Sequence, residues 1–261
     1  MYIKDFHLTK VISVFNGKGG SGKTSVAGSL AYALSEKNRK ILLIDGSKNM
    51  NLTHSYGLKE NEKNLGAAIL NEENLENYII KTRYSNIDMI VSDHMINILE
   101  MTLFCRMHRE NIFKNILNSI IRNGVYDEII IDTSSTIGIV NLNLLNATNF
   151  CIIPITLDSF GVENINTQLD FIKGVQKYNK KLKNVKILIN MYDTRYKTIT
   201  SKCESYVREN FSDLLFSTII TVDINIQKAQ SNNVPVLVYE ENSRISKEYR
   251  KLCKEIIKLN K

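Results

Sequence analysis

An eight-residue stretch, "GKGGSGKT" from Gly17 to Thr24, restricts the fold of this chain more than any other feature. It fits GxxxxGK[ST] and stands between a short β-branched run, "VISVF" (11–15), and a helical run, "SVAGSLAYALSE". A strand, a glycine-rich turn and a helix in that order place backbone N–H groups and the positive end of a helix at one point, which suits phosphate oxygens. Lys23 adds an ammonium there, and the Thr24 hydroxyl is a ligand of the kind Mg2+ accepts.

The rest of the chain supplies a sheet for that turn. Apolar runs recur at "ILLID" (41–45), "IDMIV" (87–91), "EIIID" (128–132), "FCIIPI" (150–155), "VKILIN" (185–190) and "FSTIIT" (216–221). Helix-spaced stretches alternate with them, for example Ile112, Ile116, Leu117, Ile120 and Ile121, or Leu169, Ile172, Val175 and Gln176. Such alternation predicts an α/β fold with a doubly wound, mostly parallel sheet covered by helices on both faces. The 261 residues, 43% hydrophobic with 2 Pro, are enough for one large core, and no linker or repeat divides them. We therefore expect a single domain over residues 1–261.

Composition narrows the setting. No apolar run approaches the roughly 18 residues of a membrane span, and "MYIKDFHLTK" lacks the apolar segment of a leader, so a cytoplasmic protein is expected. Cys105, Cys151, Cys203 and Cys253 form no CxxC pair, and ordinary buried thiols explain them. Net charge is +7, concentrated in Lys173, Lys177, Lys180, Lys181, Lys183 and Lys186 and again in Arg244, Lys247, Arg250, Lys251, Lys254, Lys258 and Lys261. Both clusters suit a polyanion, and both also suit a solvated helix face.

A second lysine opens the glycine stretch: Lys18, Gly19, Gly20, Ser21, Gly22, Lys23, Thr24. This KGGxGK[ST] pattern resembles the deviant Walker A P-loop family, which includes ParA/Soj-type partition ATPases and the division-site ATPase MinD. The likeness runs through "YDEIIIDTSSTIG", similar to the Walker B segment, and on through "ILINMYDTRYK" and "NNVPVLVYEENSRISKEYRKLCKEI". The resemblance implies ATP and Mg2+ as cofactors. Gly17 to Thr24 with Ser25 would hold phosphates; Thr24, Asp45 and Asp132 would arrange the metal; Asn190 and Pro235 would lie against adenine. It also implies an ATP-dependent nucleotide-sandwich homodimer in which Lys18 reaches the partner's phosphates, so Lys18 and Lys23 are the catalytic lysines.

In the same family the run after the second strand reads DxDPQ, whereas this chain has Asp45, Gly46, Ser47, Lys48, Asn49. The second Asp, which in relatives activates water, is replaced by Ser47. A neutral hydroxyl accepts no proton at neutral pH, so slow or absent hydrolysis is expected. Glu163 and Asp158 are the alternative carboxylates. Thr133, Ser134 and Ser135 also stand where relatives often carry two prolines.

By that resemblance the chain is expected to bind DNA non-specifically through Arg244, Lys247, Arg250 and Lys251, to associate with the nucleoid, and to work with a ParB-like centromere-binding partner in plasmid or chromosome segregation. "TVDINIQKAQ", where relatives often carry arginines, has only Lys228. The first strand begins near Val11, which is expected to leave no room for the helix-turn-helix of longer relatives. A MinD-like membrane role would need an exposed stripe on the last helix; Ile245, Tyr249, Leu252, Ile256 and Ile257 read more simply as core, and no stable membrane association is expected. Two further alternatives are an iron-protein-like cluster carrier, which would be coloured, and an interaction protein that makes no use of nucleotide.

Overall fold

A computed structural model describes residues 9–195 and 197–259. Of the basic residues named above, Lys261 lies outside them. Seven strands form one sheet: β1 (Lys10–Val14), β2 (Ile41–Gly46), β3 (Ile80–Lys81), β4 (Ile87–Ile90), β5 (Glu128–Thr133), β6 (Phe150–Ile155) and β7 (Asn184–Ile189). Their order is β3-β4-β2-β5-β1-β6-β7. All pairs are parallel except β3 with β4. The expected α/β, doubly wound sheet is therefore present.

Side chains on successive strand residues point to opposite faces, and both faces are covered. Ile12, Val14, Ile41 and Leu43 pack under the helix Lys23–Ser35 and the helix Arg244–Leu259. Val11, Leu42, Ile44, Ile129 and Ile131 pack on the other face against Phe113, Leu117 and Ile120 of the helix Ile112–Asn123. Continuous apolar strands are the consequence, because neither face meets water.

The last helix places Ile245, Tyr249, Leu252 and Ile256 in the core, with Ile257 packed at its edge. Each fully buried Leu or Ile there contributes about 1.5–3 kcal/mol, so in this fold the stripe serves packing and is not presented to a bilayer. Among the described residues no helix is long and apolar enough to cross a membrane.

Two expectations need correction. "FSTIIT" (216–221) is not a strand. Phe216 and Ile220 donate to the carbonyls of Ile187 and Ile189 beside β7, but the amides of Ser217 and Thr218 go to Glu255, and that of Thr221 goes to Glu248. Carboxylates of the last helix thus take the donors a ladder would need. The four cysteines are free, but Cys151 and Cys253 alone are buried; Cys105 is exposed.

Candidate phosphate-loop site

β1 ends at Val14, and the glycine stretch turns from it into the helix Lys23–Ser35. Gly20 (φ 76°) and Gly22 (φ 81°) adopt the left-handed backbone that favours glycine. At Gly22 a side chain would also collide with the Asn190 amide. That amide donates to the Ser21 carbonyl at 2.7 Å, so Asn190, just past β7, pins the loop from the side. Further in, the Gly17 amide donates to Gln168 Oε1 at 2.7 Å and the Lys18 amide to Asn16 Oδ1 at 2.8 Å.

Lys23 opens the helix, and its ammonium donates to the carbonyls of Asn16 (2.8 Å) and Lys18 (3.1 Å), inside the arc of the loop. Burial lowers its pKa, with the Asp132 charge opposing. The Thr24 hydroxyl donates to Asp132 Oδ2 at 2.7 Å, while Asp132 Oδ1 is buried without a partner. A buried carboxylate oxygen with no donor, beside a threonine hydroxyl below a glycine loop, is a donor set that fits Mg2+.

Asp45 faces Asp132 across the β2–β5 register. Its oxygens, however, are committed elsewhere. Oδ1 accepts the Ser47 amide at 3.0 Å, and Oδ2 accepts the amide and hydroxyl of Thr53 at 2.9 and 2.8 Å. Asp45 therefore shapes the turn after β2 and lends charge, whereas Asp132 has the unused oxygen.

Burial, then the Asp45 charge, push the Asp132 carboxyl up to about 8, against the Thr24 bond and Lys23. The folded state thus binds more protons than the unfolded chain between the usual carboxyl range and that value. The resulting stability is fully present below the unfolded pKa and is lost as pH rises through the folded one. Melting temperatures of metal-free protein should fall from about pH 4 to about pH 8 and level off above, and Asp132→Asn should remove most of that fall. Parallel pH profiles for the two proteins would contradict this assignment.

The cavity over the loop holds about 360 Å³, within the range of small-ligand sites. Gly19, Gly20, Lys23, Thr24, Ser25 and Ser47 line it from the loop and the turn after β2. Asn190, Thr221, Asp223, Ile226, Gln227 and Gln230 complete the wall. Asn190 Oδ1 is buried without a partner, as an acceptor for an exocyclic amine would be. Pro235 does not line this cavity. It precedes the helix Val236–Tyr239 and lies with Ser25 and Gly28 along an adjoining crevice that Ile226, Ala229 and Gln230 also line.

Ser47 is on the cavity wall, 9% exposed. Among the described residues lining the cavity, Asp223 is the one carboxylate; it caps the helix Ile224–Ser231. Neither alternative carboxylate lines the cavity. Glu163 is exposed on the helix Ser159–Glu163. Asp158 grips Lys18, whose ammonium sits 2.9 and 3.0 Å from its two oxygens and 3.2 Å from Thr156 Oγ1. Although partial burial raises the Asp158 carboxyl, bonds from Thr156, Lys18 and the Gly161 amide together hold it below its usual value. Lys18 is thus held within its own chain.

Two positioning side chains carried no local sequence signal. Buried Asn141 donates to the carbonyls of Ser134 (2.9 Å) and Thr136 (2.6 Å), stapling the loop that lacks prolines. Glu100 accepts the amides of Ile139 (2.9 Å) and Val140 (3.3 Å) and caps the next helix, Ile139–Asn146.

The AAA_31 family model, an AAA domain, matches residues 9–187. The chain belongs to that family. It is 28% identical over 250 residues to the sporulation initiation inhibitor protein Soj of Bacillus subtilis (strain 168), covering 95% of this chain and 98% of that protein. It is 26% identical over 251 residues to the chromosome partitioning protein ParA of Caulobacter vibrioides (strain NA1000 / CB15N), covering 95% and 94%. A solved structure, a putative plasmid partition protein from Borrelia burgdorferi B31 bound to AMPPNP, superposes with a TM-score of 0.81 at 24% identity, covering 96% of this chain and 99% of that one. This AAA-domain chain is thus similar to Soj and to ParA along nearly its whole length.

The expected basic surface changes in detail. Arg250 is clamped by Glu36 at 2.7 and 2.8 Å and by the Glu241 carbonyl, and Arg244 donates to the Val222 carbonyl beside Asp223 and Glu248. Both arginines tie the last helix to the fold. Lys247 and Lys251 are exposed, and Lys254 and Lys258 continue their line along the same helix edge.

Proposed function

We propose that the chain is an ATP- and Mg2+-dependent switch that dimerises around two nucleotides, binds DNA without sequence preference and serves the segregation of a plasmid or chromosome. The observation that carries the nucleotide part is the unpartnered buried oxygen of Asp132 beside Thr24, beneath a loop that needs glycine at positions 20 and 22. The relatives named Soj and ParA, and the AMPPNP bound to the Borrelia protein, support the same reading.

Bound ATP with Mg2+ would supply the charged phosphates that the loop amides and Lys23 hold, with Thr24 and Asp132 arranging the metal. Asn190 would accept from the adenine amine. Ser47 leaves the water without a base, so the nucleotide is held far longer than it is turned over. Calorimetric titration with ATP, with and without Mg2+, tests this: binding that needs neither the metal nor Lys23 would rule it out.

DNA contact is assigned to the Lys247, Lys251, Lys254 and Lys258 edge. Affinity in the presence of ATP should fall steeply with salt, with a log-log slope of about −0.9 per neutralised phosphate. Replacing Lys251 and Lys254 by Ala should flatten that slope by roughly one to two contacts and weaken all sequences alike. Unchanged slopes in filter-binding or anisotropy titrations would move the surface elsewhere. A ParB-like partner would then govern how long the dimer lasts more than the chemistry it performs, and the protein would sit at the nucleoid in the cytoplasm.

A further inference from the structure

β7 is the last strand on its side of the sheet, and its outer edge is only partly covered. The Asn190 amide, just past its end, donates to the Ile155 carbonyl of β6, while the carbonyls of Ile187 and Ile189 accept from Phe216 and Ile220 on the outside. Alternate residues of a strand turn their backbone groups to opposite sides, so those of Val185 face outward as well. The covering segment joins at Leu215, opposite Ile187, and among the described residues no backbone bond reaches Val185 from that side. An open stretch of edge is a template for another strand.

Around this stretch the surface forms a cleft of about 380 Å³, slightly larger than the cavity over the phosphate loop. The cleft straddles the sheet edge. Leu169, Ile172 and Lys173 of the helix Ile165–Gln176 line it on one face. Phe150, Lys186 and Leu259, the end of the last helix, line it on the other. Each face thus offers an apolar floor and an ammonium. Exposed Lys183 also lines the cleft, and Lys177, Lys180 and Lys181, between that helix and β7, are exposed nearby in the chain. Opposing charge is small. Asp170 pairs with Lys173 at 3.1 Å where both side chains are largely exposed, and Asp213, the one carboxylate among the described lining residues, gives its backbone carbonyl to Lys186.

We propose that this cleft takes an extended acidic segment of a partner protein, paired with β7 at Val185. Two consecutive bulky apolar side chains of that segment fall one on each face, and flanking carboxylates meet the lysines. Consecutive strand residues point to opposite faces, and the floor is divided in the same way. Lysines spread along a rim exceed what one small anion needs, whereas carboxylates repeated along a chain meet them in turn. Duplex DNA carries its charge on an outer phosphate backbone and has nothing to place on Leu169, Ile172 and Leu259. The cleft lies at the amino ends of the parallel strands and the phosphate loop at their carboxyl ends, so a segment docked here leaves the nucleotide cavity open.

The test is fluorescence anisotropy of the full chain with a fluorescein-labelled peptide, Glu-Asp-Leu-Phe-Glu-Asp. Wild type should bind it saturably below millimolar concentration. Lys173→Glu/Lys183→Glu should weaken binding at least about tenfold, and Val185→Pro, which removes an outward N–H on an edge strand, by roughly three- to tenfold. Nucleotide affinity of the same samples should stay at the wild-type value, the sign that each variant folds. Methylating the Leu and Phe amides of the peptide should weaken binding as Val185→Pro does, with the protein untouched. No saturable binding by wild type would overturn the proposal. So would binding that responds to the lysines but neither to Val185→Pro nor to methylation, since the cleft would then attract anions without pairing a strand. Displacement by decanoate or by duplex DNA more readily than by unlabelled peptide would give the cleft to that ligand and overturn the proposal too.

Discussion

Replacing Ser47 by Asp is expected to raise steady-state ATP turnover by roughly 10²- to 10⁴-fold, the range a positioned general base contributes. The position is prepared for such a group. Asp45 Oδ1 holds the Ser47 amide at 3.0 Å, which fixes the backbone, and the side chain stands on the cavity wall. The two nearby carboxylates are engaged elsewhere: Asp158 is paired with Lys18, and Asp223 caps a helix. Nucleotide affinity should change much less than rate, because the loop amides and Lys23 are untouched. Phosphate release with saturating ATP, Mg2+ and DNA measures the difference. Brisk and equal rates in the two proteins would mean that water is activated by another route.

Lys18→Ala should abolish ATP-dependent dimers while leaving nucleotide binding by the monomer nearly intact. The reason lies in where the ammonium sits. It is paired with Asp158 and Thr156, away from the arc that Lys23 fills, so its own loop does not depend on it for phosphate contact. Two facing triphosphates bring dense negative charge together, and a lysine from each side offsets it. The same geometry makes Asp158 a competitor for Lys18. Asp158→Asn keeps an acceptor for the Gly161 amide but weakens the hold, and should shift dimerisation to lower protein concentration by a few-fold, the scale of a half-exposed ion pair. Light scattering across a concentration series reads both effects. Dimers of Lys18→Ala that form as readily as wild type would remove the trans role of this lysine.

Much of this was readable from residue order alone, for a physical reason. Strands buried on both faces must be apolar throughout, so β1, β2, β4, β5, β6 and β7 stand out as β-branched runs; β3, two residues long at the sheet edge, carries no such pattern. The loop was legible because close backbone turns demand glycine at fixed places, as Gly20 and Gly22 show. What stayed hidden depends on distant partners. Asn190 meets Ser21, Gln168 meets Gly17, and Glu100 meets Ile139 only once the sheet has brought their elements together. "FSTIIT" had a strand's composition, but Glu255 and Glu248 lay more than twenty residues on and took its amides. Arg244 and Arg250 looked like free cations for the same reason, since Glu36 and the Val222 carbonyl are invisible to a local reading. The partner of Asp158, Lys18, is likewise 140 residues away in sequence.

On the proposed reading, the glycine loop between β1 and its helix cradles a triphosphate whose site is completed by Lys18 of another copy. Sedimentation velocity of the wild-type chain, in Mg2+ with and without ATP and with bound nucleotide quantified in the same sample, tests it most directly. A monomer without ATP and a dimer carrying one nucleotide per chain with it is the expected result. Nucleotide taken up by a species that remains monomeric at every concentration would contradict the claim.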